Sequence, residues 1–191
     1  MSVYLQQLVN LLQLGSIYAL LAIGFSIVYG IAGLVNFAHG HIFMVSSYLL
    51  FFIGTLMYQM TDATWAVFIS ALLGAIFVTA VLAFVIEKIA YKPLRNAPKV
   101  SVVVSSVGVG LMLEYSVLTF VGADPERMPV LVNDIQWNIG GTNMSSANVI
   151  IIAVAVAAMI VLNLFIKKTR IGVALRAVSQ DETASSFMGI A

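Results

Sequence analysis

The chain has 191 residues, of which 61% are hydrophobic and 9% charged, and it contains no cysteine. A soluble domain carries roughly 25% charged residues, so this composition excludes a water-soluble globule. The absence of cysteine removes disulfides, thiolate metal sites and cysteine nucleophiles. The formal net charge of +1 says nothing about partners, because the charges are segregated along the chain. No basic, aromatic-rich surface of the kind that binds nucleic acid is present.

From Leu11 to Ile86 there is one acidic residue, Asp62, with two histidines, His39 and His41, and no lysine or arginine. The apolar runs are continuous and too long for the alternating segments of a β-barrel. They predict an all-α, polytopic membrane helix bundle with about five transmembrane helices, at roughly 20 apolar residues per span. The expected spans are 8–29, 41–60, 65–86, 100–121 and 147–166, the second and third joined by the turn Thr61-Asp62-Ala63-Thr64. No lysine or arginine precedes Lys88, so the first segment lacks the basic start of a cleaved signal peptide and reads as a retained span. Between the first two spans, Gly30 to Gly40 is apolar and glycine-rich. It is either a plain loop or irregular backbone at membrane depth, which is tolerated only where protein or a cavity shelters it.

Lys88, Lys92, Arg95 and Lys99 cluster between spans three and four, where Pro93 and Pro98 break the helix. Lys167, Lys168, Arg170 and Arg176 follow span five, and only Arg127 lies in the polar segment 122–146 between spans four and five. Two spans separate the clusters, so both are expected on the cytoplasmic side, with the Asp124-Pro125-Glu126 loop and the N-terminus outside. Trp65 and Tyr91 fit interfacial aromatic belts. Small residues recur at i, i+4 (Gly15/Ala19, Ser26/Gly30, Ser70/Gly74, Ala71/Ala75, Ser106/Gly110, Ala153/Ala157), the pattern that lets helices approach closely in lipid. There is no internal repeat.

After residue 166 the chain turns basic and polar, and its apolar residues switch to helical spacing. Ile171, Ala174, Leu175 and Val178 predict one short amphipathic helix, and Ala184, Phe187, Met188 and Ala191 predict another after a break at Ser179-Gln180-Asp181. Asp181 suits the N-cap of the second and Glu182 its first turn. Helices of two turns are too short to stand alone in water and need a surface to lie against.

Catalytic chemistry finds no foothold. There is no metal-ligating His/Glu pair on one helix, no Ser/His/Asp set and no phosphate-cradling glycine loop; Gly108-Val109-Gly110 sits inside an apolar span. The chain is expected not to be an enzyme, to bind no metal and to hold no cofactor. Glu114, inside the fourth span about two turns from its expected outer end, is a functional candidate as an intramembrane acid, for a solute path or a proton; the alternatives are that it pairs with a neighbouring helix or stays protonated near the interface. Asn36 and His39 offer hydrogen bonds along a solute path from irregular backbone near a helix end. The structural alternative is a turn that uses Gly33, Asn36 and Gly40 for unusual dihedrals. Glu87, beside Lys88 at the end of span three, reads as interfacial.

Three segments together resemble a known family. Tyr18-Ala19-Leu20-Leu21-Ala22-Ile23-Gly24, Val28-Tyr29-Gly30 and Val35-Asn36-Phe37-Ala38-His39-Gly40 are similar to the N-terminal signature of permeases in bacterial branched-chain amino-acid ABC transporters. Glu87 to Arg95 resembles that family's exit from the third span, and Gly172-Val173-Ala174-Leu175-Arg176-Ala177-Val178 with Gln180-Asp181, Ala184 and Met188-Gly189-Ile190 its cytoplasmic loop. The resemblance implies a permease subunit in the bacterial inner membrane that pairs with a second permease and docks two cytoplasmic ATPase subunits, which would use the ATP. A periplasmic or lipid-anchored binding protein would deliver leucine, isoleucine or valine. It carries ATPase docking onto Gly172, Arg176, Ala177, Asp181, Ala184 and Gly189. Position 41, where relatives often have Glu or another polar residue, receives no family role. Such permeases continue beyond Met-Gly-Ile with further helices, so the chain is expected to be truncated or a fragment with an incomplete solute path. The rival readings are an importer of urea or short-chain amides, a secondary carrier using Glu114 as its proton site, and a non-transporting membrane scaffold.

Overall fold

The computed structural model describes residues 2–32, 35–61, 63–94, 97–126, 135–139 and 142–189. The elements run α1 (Ser2–Ala32), α2 (His39–Tyr58), α3 (Thr64–Ile86), α4 (Lys99–Phe120), β1 (Gln136–Ile139), β2 (Thr142–Ser145), α5 (Ser146–Lys168), α6 (Arg170–Gln180) and α7 (Glu182–Phe187). Among the described residues five helices are long and apolar enough to cross a membrane: Val3–Gly30, His39–Tyr58, Thr64–Leu94, Lys99–Phe120 and Ser146–Lys168. The protein is a multi-pass, helical membrane protein. Large apolar side chains stand exposed along all five, as Leu11, Phe77, Val104 and Val161 do. A lipid solvent makes that favourable.

The chain divides into two compact units, one built from Met1–Gly33 with Asp134–Ala191 and the other from Leu34–Asn133. In the Leu34–Asn133 unit α2 packs against α3 and α4. Val67, Ala71 and Ala75 recur every four residues on α3 and are buried, as is Gly54 on α2. The contact is close enough that a Cβ at Gly74 would stand 3.1 Å from Cδ1 of Ile53. On α4 the buried residues are Ser106, Gly110 and Leu113, the first two being a small pair legible in the sequence. α3 continues through a π-helical turn, Glu87–Tyr91, and a 3₁₀ turn, Lys92–Leu94. Lys92 donates its backbone N–H to Glu87 O, five residues back. Pro93 explains the change of winding, since its ring would clash with the carbonyl four residues earlier in an α-helix.

In the other unit α1 packs along α5, and α6 meets both. The segment expected only to be polar holds an antiparallel ribbon with Gln136 opposite Ser145 and Ile139 opposite Thr142. Its base is pinned to α5: Ser146 N donates to Ile135 O (3.0 Å), and Ile135 N to Ser146 Oγ (3.1 Å). Ser145 caps α5 by accepting from Ala147 N at 3.0 Å. Ala155, rather than Ala153 or Ala157, is the buried small residue of α5.

Candidate functional site

A line of polar groups runs between α2, α3 and α4. Phe37 N donates to Ser106 Oγ at 3.2 Å, and Ser106 is almost wholly buried. Asn36 Oδ1 accepts from Ala38 N (3.0 Å) and from Tyr91 OH (2.9 Å), while His39 N donates to Asn36 O (3.2 Å). The N–H groups of Phe37, Ala38 and His39 are therefore all satisfied. Ser106 lies seven residues into α4, about 10 Å along its axis at 1.5 Å per residue. α2 thus begins alongside the body of α4, not at its end. Of the glycine-rich connection, residues 35–38 are irregular backbone beside α4 and the end of α3, the shelter such backbone needs, while Gly33 and Leu34 lie outside the described residues. Asn36 shapes this turn. Tyr91, read from sequence as a belt residue, has its hydroxyl turned onto Asn36. His39 is half-buried at the first position of α2.

One turn further along, His41 Nε2 lies 3.2 Å from Glu114 Oε2. The imidazole rests on Gly110, where a Cβ would come within 2.7 Å of Nδ1 and 2.9 Å of Cε1. Nδ1 is buried and has no hydrogen-bond partner among the described residues. The Glu114 side chain keeps 53% of its surface exposed, against 31% for His41. Glu114 is thus joined to His41 rather than to Asn36. No local pattern marks His41, whose partner stands 73 residues away. The available signal was that an acid inside a span needs a partner, and His41 is one of only two histidines.

The basic stretch forms an elbow on α5. Thr169 Oγ1 accepts from Gly172 N (3.0 Å), capping α6, and donates to Phe165 O (2.6 Å). Gly172 is buried so tightly that a Cβ there would fall on the Phe165 carbonyl oxygen and 2.5 Å from Ile166 Cα and O. Gly172, expected among the docking residues, therefore lies inside the elbow and serves as its closest contact. The same contact rotates Ile171 outward, leaving it 63% exposed where the periodicity placed it on the packed face. Arg176 reaches back to donate to Lys167 O at 3.4 Å, a favourable place for a cation beside a helix C-terminus. Asp181 Oδ1 accepts from Ala184 N (2.9 Å) and caps α7. α7 ends where Gly189 adopts φ +79°, a left-handed conformation suited to glycine. Arg176, Asp181, Ala184, Phe187, Met188 and Gly189 are exposed, Ala177 is half-buried and Ser185, on α7, is buried. Ile190 and Ala191 lie outside the described residues.

Between α1, α5 and α6 lies a cavity of about 460 Å³, walled by Ile23, Ile27, Met159, Ile166 and Leu175 with Arg176. Among the described residues no three His, Asp or Glu side chains are grouped to hold a metal ion.

Residues 7–191 match the family model described as branched-chain amino acid transport system / permease component. The chain is 37% identical over 193 residues to the high-affinity branched-chain amino acid transport system permease protein LivH of Salmonella typhimurium, and likewise to LivH of Escherichia coli K12. Each alignment covers 98% of this chain and 62% of the relative. The corresponding BraD protein of Pseudomonas aeruginosa is 36% identical over 192 residues, with the same coverage. The chain therefore spans less than two thirds of the length of these curated relatives. No solved structure matches it.

Proposed function

As this chain belongs to the branched-chain amino acid transport system permease family, we propose that it forms part of the translocation path of an ATP-driven importer for branched-chain amino acids. The observation that carries the mechanical half of this reading is the elbow. α6 is capped and braced on α5, and α7 is capped and packs against α6, yet they leave Arg176, Asp181, Ala184, Phe187 and Met188 exposed. Lys167 and Lys168 in the last turn of α5 support a cytoplasmic position for that end, by the positive-inside rule. There a pair of short amphipathic helices fits the groove of a partner. That partner is the cytoplasmic ATPase, which binds and hydrolyses the ATP; this chain does no chemistry and holds no cofactor. Arg176, Ala177, Asp181, Ala184 and Gly189 form or shape the docking surface, with Gly172 fixing its angle.

The remaining partners are a second permease, a second ATPase and an extracytoplasmic solute-binding protein, in the bacterial inner membrane. Closure of the ATPase pair pushes the elbow, and α5 carries that displacement into the bundle. The path uses the polar line of the Leu34–Asn133 unit: the Asn36 turn, His39 and Glu114. Co-purification tests the docking. Arg176→Glu is expected to abolish recovery of the ATPase with the permease, and unchanged recovery would refute it. Leucine uptake that survives deletion of the ATPases would instead support a secondary carrier.

A further inference from the structure

We infer that Glu114 receives the α-ammonium group of the solute and that His41 holds its carboxylate in place to do so. The inference rests on the permease reading above and assigns a site within it. Its starting point is the hydrogen-bond state of His41. Nδ1 is sealed against Gly110 with no partner among the described residues. A hydrogen on Nδ1 would be a buried donor without an acceptor, which is costly. The ring hydrogen therefore sits on Nε2 and is donated to Glu114 Oε2 across 3.2 Å. An imidazole in that form orients the carboxylate and leaves its charge uncancelled.

Glu114 then presents a carboxylate with about half of its side-chain surface exposed, inside a membrane span. A charge in that setting calls for a counter-charge. Among the described residues His41 is its ion-pair partner, and Lys99, at the other end of the same helix, is about 22 Å away along the axis. An α-ammonium supplies three donors and one positive charge. The neighbours of Glu114 on its helix face, three and four residues away, are Gly110, Leu111, Val117 and Leu118. Leu111 and Leu118 are each 46% exposed, an aliphatic surface beside the carboxylate that suits a branched side chain. A neutral amide such as urea would leave the carboxylate charge unmatched, so the site separates an amino acid from the amide importers' substrates.

Carbodiimide labelling tests this on the purified permease in detergent. A hydrophobic carbodiimide would be added with or without a competitor, and modification of Glu114 read by peptide mass spectrometry with Glu87 as internal reference. Leucine and isoamylamine, which both carry the ammonium, are expected to suppress labelling at Glu114 and leave Glu87 unchanged. 4-Methylpentanoate, urea and potassium chloride are expected to leave Glu114 labelled. His41→Gln, which retains an N–H donor, should keep the protection, and His41→Leu should lose it. Equal labelling with and without the amines would overturn the inference. So would equal protection by 4-methylpentanoate, which would mean that the aliphatic chain alone binds, or by potassium chloride, which would mean an inorganic cation site. Leucine uptake by the complete importer is measured in parallel. Intact uptake with unprotected Glu114 removes this inference alone, whereas a wild-type importer that moves no branched-chain amino acid removes the permease reading itself.

Discussion

Gly172→Ala isolates the elbow. In an ordinary helix this change is favourable by about 1 kcal/mol, because alanine is the better helix former. Here the added methyl meets backbone, the Phe165 carbonyl oxygen and Ile166 Cα and O, and backbone cannot swing aside as a side-chain tip can. Overpacking of this kind costs about 1–3 kcal/mol. Pushing α6 away from α5 also stretches the bond from Gly172 N to Thr169 Oγ1, a cap interaction of about 1 kcal/mol. The opposing helix-propensity gain roughly cancels the cap loss, leaving about 1–3 kcal/mol against the closed elbow, or a roughly 5- to 150-fold increase in its opening. Hydrogen exchange of α6 amides in detergent would report this as faster exchange of Val173 to Val178, with the α3 amides unchanged. Gly74→Ala is the matched control, since its Cβ meets side chain rather than backbone, Cδ1 of Ile53 at 3.1 Å and Cγ2 at 3.5 Å. Unchanged α6 protection in Gly172→Ala would refute the close-contact account.

Three further outcomes are expected. Gly110→Ala should displace the His41 ring and destabilise the α2–α4 contact by about 1–3 kcal/mol, read as a lower melting temperature in detergent; no change would mean the ring can move aside freely. Asn36→Ala should cost more than Tyr91→Phe, because it strands both Ala38 N–H and Tyr91 OH at about 1–3 kcal/mol each, whereas Tyr91→Phe loses one bond of about 0.5–1.5 kcal/mol. Thermal unfolding of the two variants gives the order, and the reverse order would contradict the turn described for Asn36. Asp181→Ala should remove the α7 cap, at about 1 kcal/mol, and speed exchange at Ala184 N–H while leaving α5 unaffected.

The long apolar runs and the switch to helical spacing after residue 166 made the five helices and the two-helix elbow legible, since both rest on local periodicity. Asp181 was legible as a cap because its side chain acts on a backbone three residues away. Contacts made by distant residues were not. The tie between His41 and Glu114 needs α2 to start partway along α4, a register no local pattern encodes. The outward turn of Ile171 follows from how closely α6 approaches α5, again a property of two elements rather than one. The ribbon was within reach: Gly140-Gly141 between two four-residue segments, the first of which alternates polar and apolar residues, is a recognised hairpin signal. The winding change at Glu87–Tyr91 has its cue in Pro93, which by itself marks a break without saying how the helix accommodates it.

The first unit is discontinuous in sequence, and this bears on how the protein is made. α1 belongs with Asp134–Ala191, yet residues 34–133 are synthesised in between. At translation rates of roughly 5–20 residues per second, α1 waits on the order of 5–20 s in the bilayer before α5 emerges to join it. Three of its polar side chains are equipped for that delay: Gln6 Nε2 donates to Asn10 Oδ1 one turn on (3.4 Å), and Ser16 Oγ to Leu12 O (2.6 Å). Those groups find partners within their own helix, so α1 can be released into lipid and held there until its neighbour is inserted.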